Sequence, residues 1–139
     1  AFKGAAGLSA RAIAEAAEAR GADLNAATDY ERTSYTARCL ADDAPAMLDL
    51  VLSLVFAPDH PPSEIDREKH VVLQEIGEAA DQADDLVLEL AQAASFPDHP
   101  LGRPILGVKD TLARIARSDL LAFASENYTP PRTVIAIAG

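Results

Sequence analysis

Residues 61–82, PPSEIDREKHVVLQEIGEAADQ, constrain this chain more than any other stretch. Two prolines open a run whose spacing predicts one long helix, with Ser63 as N-cap and Asp66 three residues later. Acid in the first turn suits the positive end of a helix dipole. Ile65, Val72, Leu73, Ile76 and Ala80 recur at helical spacing, so the side they share is expected to be buried. At about 100° per residue, Glu64, Glu68 and Glu75 fall close to a single line at the edge of that apolar side. A glutamate line is most often a solvated face, so its meaning depends on the residues around it.

A chain of 139 residues with 49% hydrophobic and 24% charged content can bury a core, and it reads as a single domain over 1–139. No apolar run approaches the roughly 18–20 residues that span a membrane, and no secretory leader is evident at the N-terminus. A net charge of −10 argues against nucleic acid or an anionic lipid surface as the main partner. The single cysteine, Cys39, excludes an internal disulfide and a cysteine-based zinc knuckle, and its alternating surroundings suggest a small buried residue. Arginine outnumbers lysine nine to three and alanine is abundant, which points to a GC-rich bacterial source. A bacterial cytoplasm or periplasm is the compartment expected, though the sequence itself carries no address.

In chain order, residues 9–20 predict an alanine-rich helix capped by Ser9 and stopped by Gly21. Residues 22–40 alternate, with a turn over 29–32, and predict an antiparallel hairpin. Its first strand is rich in Ala, Asn and Asp, poor strand formers that suggest an edge. Asp42 or Asp43 is expected to cap a helix over 44–56, with Met47, Leu48, Val51, Leu52 and Val55 inward. Asp84 or Asp85 is expected to cap another over 86–95, with Leu86, Val87, Leu90 and Ala94 inward. A loop dense in proline and glycine follows over 97–107. A short helical turn over 110–115 and a helix from Ser118 to the Pro130–Pro131 pair come next. TVIAIAG, from Thr133, reads as an apolar strand buried on both faces. The fold class expected is α+β, an antiparallel sheet packed against helices, with at least one further strand supplied from outside this stretch.

The residues alone make no complete catalytic site. His60 and His99 lie in proline-bounded loops, where an exposed histidine without a task is the simplest reading. His70 sits on the long helix, away from the glutamate line. There is no His-x-x-Glu-His, no phosphate-cradling glycine loop and no nucleophile elbow.

The segments AFKG, SARAIAEAAEARGADLNAATDYERTSYTARCL, EIDREKHVVLQEI and FPDHPLGRPILG, in that order, resemble the insulinase-type zinc peptidases, and among them the processing peptidases. That family's metal motif is an inverted His-x-x-Glu-His followed closely by a phrase like Ala1-Phe2-Lys3-Gly4. Its third ligand is a glutamate in a phrase like Leu73-Gln74-Glu75. Counting back from Glu75 sets the second histidine just ahead of Ala1, so the chain is expected to begin right after the metal motif. The expected fold is then a half-domain of the family lacking its first strand or strands and the motif helix.

The resemblance implies Glu75 as a zinc ligand and Glu68, seven residues earlier, as the acidic residue behind the site. It implies Asn25, Ala26 and Ala27 as part of an edge strand that binds peptide by strand addition. Both motif histidines and the general base between them are absent from this sequence. The expectation is therefore a zinc endopeptidase of extended peptides in the intact parent, with a second homologous domain or subunit closing over substrate. The isolated chain is expected to bind no zinc and cleave nothing. The alternative is a non-catalytic paralogue that binds peptide or supports a catalytic partner.

Overall fold

The computed structural model describes residues 2–139, which divide into two compact units. The first comprises residues 2–27, 33–62 and 117–139; the second comprises 28–32 and 63–116.

The first unit opens on a hairpin that sequence reading did not foresee. Strand β1 (Gly4–Ala5) pairs antiparallel with β2 (Leu8–Ser9), Gly4 opposite Ser9 and Ala5 opposite Leu8. The two linking residues, Ala6 and Gly7, have φ of 49° and 80°. Two positive values match the twist of a tight hairpin, and Gly7 takes its value without steric cost. Helix α1 (Ala10–Glu18) follows, with the Ser9 hydroxyl accepting from the Ala12 N–H at 3.2 Å as expected of an N-cap. Gly21 ends it at φ 58°, and the Ala22 N–H returns to the Ala17 carbonyl at 3.0 Å.

Strands β3 (Asp23–Thr28) and β4 (Thr33–Arg38) form the anticipated second hairpin, closed by the Asp29 N–H on the Arg32 carbonyl at 2.8 Å. A 3₁₀ turn then leads into α2 (Ala44–Phe56). Asp43 stands at its N-cap position but makes no capping bond; its carboxylate faces Arg20 at 3.6 Å instead. Met47 is buried as expected, but Leu50 and Leu54 complete the buried side of α2, while the expected Leu48, Val51, Leu52 and Val55 are half-buried. The helix is apolar around most of its circumference, so periodicity could not select the side.

Ala5, Ile13, Ala17, Met47, Leu50 and Leu54 make the core of this unit, with Phe2, Leu24, Tyr35 and Cys39 packed against it. Cys39 is half-buried rather than enclosed. Burying a side chain the size of Ile13 or Met47 is worth about 1.5–3 kcal/mol. Tyr35 lies edge-on to Phe2 and against Tyr128, whose hydroxyl is 3.4 Å from the Thr33 hydroxyl. Burial first, and Tyr128 second, push the Tyr35 phenol up to about 12.

The segment after α2 is tied back to the first hairpin. Ala5 bridges Pro58, the Ala6 N–H donates to the Ala57 carbonyl (2.9 Å) and the Asp59 N–H to the Gly4 carbonyl (3.0 Å). The Asp59 carboxylate accepts from the Gly7 N–H at 3.1 Å. Arg117, first residue of the last helix, donates to the carbonyls of His60 (2.9 Å) and Asp59 (3.2 Å). His60 supplies only its backbone carbonyl to this contact, and its ring is less exposed than expected. The residue is half-buried at φ 45°, and burial together with the Arg117 charge holds its imidazole below the ordinary value, with Asp59 opposing.

The second unit is mainly helical. Helix α3 (Pro62–Asp81) begins two residues earlier than a Ser63 cap implies, with Pro62 in its first turn, so Ser63 is inside the helix rather than its cap. Along its apolar side Ile65, Val72 and Ile76 are half-buried, whereas Leu73 and Ala80 are exposed. Helix α4 (Ala83–Ser95) places Asp84 and Asp85 within its first turn, after Gln82. Its expected inward residues lie open: Leu86, Val87 and Leu90 are all exposed, as is Ala94. A 3₁₀ turn at Pro100–Gly102 and helix α5 (Lys109–Arg114) complete the unit. Lys69 of α3 reaches the Ala113 carbonyl at 3.4 Å.

Helix α6 (Arg117–Asn127) returns to the first unit. Residues 133–139 form no strand, contrary to the sequence expectation, and Val134 is 91% exposed. A strand requires a neighbour to receive its ladder bonds, and none of the described strands lies beside this segment. The α+β class stands, with the sheet present as two separate two-stranded pieces among the described residues.

Candidate functional site

The candidate residues fall in two places, helix α3 and strand β3. On α3, Glu64, Glu68 and Glu75 occupy the predicted line. Seven residues are nearly two turns of helix, so Glu68 and Glu75 leave the axis in similar directions. Their surroundings differ. The Glu64 carboxylate is largely covered and takes the Arg67 guanidinium at 3.0 Å, Glu68 is half-buried, and Glu75 is exposed.

His70 turns to its own helix, its Nδ1 lying 2.8 Å from the Asp66 carbonyl, which fixes that nitrogen as the donor. It brings no ligand to the line. Among the described residues no group of three or more histidines, cysteines or acids is arranged to hold a metal. A zinc site needs three protein ligands with nitrogen, sulfur or oxygen donors converging on one point. The described residues, with Glu75 as one candidate carboxylate, do not by themselves fit that requirement.

The second place is β3. Leu24 and Ala26 are half-buried while Asn25 and Ala27 are exposed, so the strand lies with its even residues toward the core. In an antiparallel ladder, directly opposed residues alternate between exchanging hydrogen bonds and exchanging none. The Asp29–Arg32 bond sets that alternation. It turns the backbone groups of Asp23, Asn25 and Ala27 toward β4, and those of Leu24, Ala26 and Thr28 away from it. The Ser34 hydroxyl on the Ala27 carbonyl, at 3.4 Å, agrees with this register. Of the residues proposed from sequence, Ala26 therefore offers its amide to the open edge, while the Ala27 amide faces the partner strand. β4 is the one strand paired with β3 among the described residues.

Sequence reading missed the knot of Gly7, Asp59 and Arg117. The Gly4 and Gly7 pair at its turn was the signal that could have announced it.

Residues 1–109 match the family model described as insulinase, peptidase family M16. The chain belongs to that family of peptidases. Over 138 residues it is 39% identical to an uncharacterized zinc protease, YmxG, of Bacillus subtilis, covering 99% of this chain and 34% of that protein. It is 34% identical to a probable mitochondrial-processing peptidase subunit beta of Schizosaccharomyces pombe, over all of this chain and 30% of that protein. The chain thus spans about a third of the length of the curated relatives it matches.

Among solved structures, a protease from Helicobacter pylori superposes with a TM-score of 0.85 at 21% identity, over 94% of this chain and 32% of that one. A peptidase M16 inactive domain from Pseudomonas fluorescens gives 0.81 at 23% identity, over 89% and 31%. At such identities the likeness shows the fold alone. The fold is that of M16 peptidase domains, as the sequence resemblance implied.

Proposed function

We propose that this chain serves as most of the metal-bearing N-terminal domain of a zinc endopeptidase acting on extended peptides. The observation that carries this reading is the family match, which runs continuously through the edge strand and both glutamates. The zinc protease names of bacterial relatives support zinc as the metal of the intact parent. In this reading Glu75 supplies one carboxylate to the metal and Glu68 orients a neighbouring ligand, since a partly covered acid behind a ligand holds its geometry. β3 takes up peptide by backbone pairing at its open edge. A second homologous domain or subunit closes over the peptide. Zinc would polarise the scissile carbonyl and activate water; with no His-x-x-Glu-His in its sequence, the chain alone is expected to cleave nothing.

Metal analysis of the complete gene product tests the assignment. Glu75→Gln is expected to lower zinc content and peptidase activity together, because an amide oxygen is a weaker ligand than a carboxylate. Zinc content equal to the parent's would remove Glu75 from the ligand set.

A further inference from the structure

The open edge of β3 carries three backbone donors, on Leu24, Ala26 and Thr28, and one of them is already engaged. The Ala26 N–H donates to Oδ1 of the preceding Asn25 at 2.8 Å. Asn25 is exposed and its side chain stands on the solvent face of the strand, yet it bends to its own next amide rather than outward. The contact closes a small ring through the Asn25 backbone, and it leaves a polar carbonyl where a neighbouring strand would present one.

From this we infer that Asn25 is an internal placeholder for a peptide carbonyl, occupying the Ala26 donor until an extended peptide displaces it. The inference rests on the reading of β3 as the peptide-binding edge and adds a means by which that edge is regulated. An open strand edge is a template for unwanted pairing with any other chain. A side-chain amide satisfying the central donor lowers that hazard, and costs the true ligand one exchanged hydrogen bond. A net hydrogen bond of ordinary strength changes an affinity by about two- to tenfold. The residue types fit the role: Asn reaches its own neighbouring backbone readily, and a longer or apolar side chain would not.

The test uses the complete gene product and a fluorescein-labelled peptide of alternating threonine and valine with lysine at each end, read by anisotropy. Asn25→Ala is expected to bind this peptide about two- to tenfold more tightly, and Asn25→Asp, which keeps an acceptor at the same position, to show no gain. An Asn25→Ala protein that binds no more tightly, while Ala26→Pro loses binding, overturns the placeholder and leaves the edge reading standing. An Ala26→Pro protein that binds like the parent overturns both. Hydrogen exchange reads the same bond in the 139-residue chain without peptide. The Ala26 amide should be protected in the parent and in Asn25→Asp and should lose protection in Asn25→Ala. Equal exchange in all three counts against the inference.

Discussion

Arg117 Nε donates to the carbonyl oxygen of His60 across 2.9 Å, joining the first residue of α6 to the turn that leaves α2. The same guanidinium holds the Asp59 carbonyl at 3.2 Å, and Asp59 in turn holds Gly7. Three segments far apart in the chain therefore meet at Asp59, whose carbonyl takes Arg117 and whose carboxylate takes Gly7. Arg117→Met keeps the aliphatic stem and removes both donors, and should cost about 1–2 kcal/mol, the exposed setting reducing the worth of each bond. A urea titration with unchanged slope and a lower midpoint is the expected result.

Two glycines of the second unit should respond in opposite directions. A Cβ on Gly102 would collide with the Phe96 carbonyl, a backbone atom that cannot swing aside, so Gly102→Ala should destabilise by about 1–3 kcal/mol. At Gly77, within α3, the same methyl meets open space. Gly77→Ala should gain about 0.5–1 kcal/mol from helix propensity alone. Thermal melts of the two variants beside the parent will show whether the signs differ.

Ile13 is 1% exposed at the centre of the first unit's core. Truncating it leaves a cavity as well as losing apolar contact, so Ile13→Ala is expected to cost about 2–5 kcal/mol. Leu88, 69% exposed on α4, is the control, and its replacement by alanine should change the denaturation midpoint little.

Alkaline pH should weaken the fold through Tyr35. Its phenol titrates near 12 in the folded chain against an ordinary 10.0, so the folded state keeps a proton that the unfolded state gives up. That contribution is complete below the ordinary value and is lost as pH rises from 10.0 toward about 12. Denaturation midpoints measured through this window should fall in the parent and fall less in Tyr35→Phe.

The helices, the second hairpin and the glutamate line were legible in the sequence because each rests on local rules: a serine cap, a glycine stop, a period of two or of 3.6. The inward faces of α2 and α4 were less so. With only Asp49 and Ser53 polar across residues 47–56, α2 has a weak pattern to orient it, and α4 shows that an apolar stripe need not be covered within the chain that carries it. The first hairpin escaped because strands of two residues are too short to alternate. The predicted strand at 133–139 failed for the converse reason: its composition suits a strand, but no neighbour receives it. At the candidate site, Glu68 and Glu75 could be placed on one helix line by counting, and the difference in their exposure could not. Which edge amide faces outward needed the register, which the turn at 29–32 supplies only once its hydrogen bond is seen.

The uncovered stretch over 133–139 has a practical meaning for anyone purifying these 139 residues. Val134, Ile135 and Ile137 lie in a stretch without a single charge, rich in branched residues and open to solvent. Such a stretch adheres to its own copies. Self-association that grows with protein concentration and disappears when Ile135 is replaced by lysine is the behaviour to expect on a sizing column, even from a molecule this acidic.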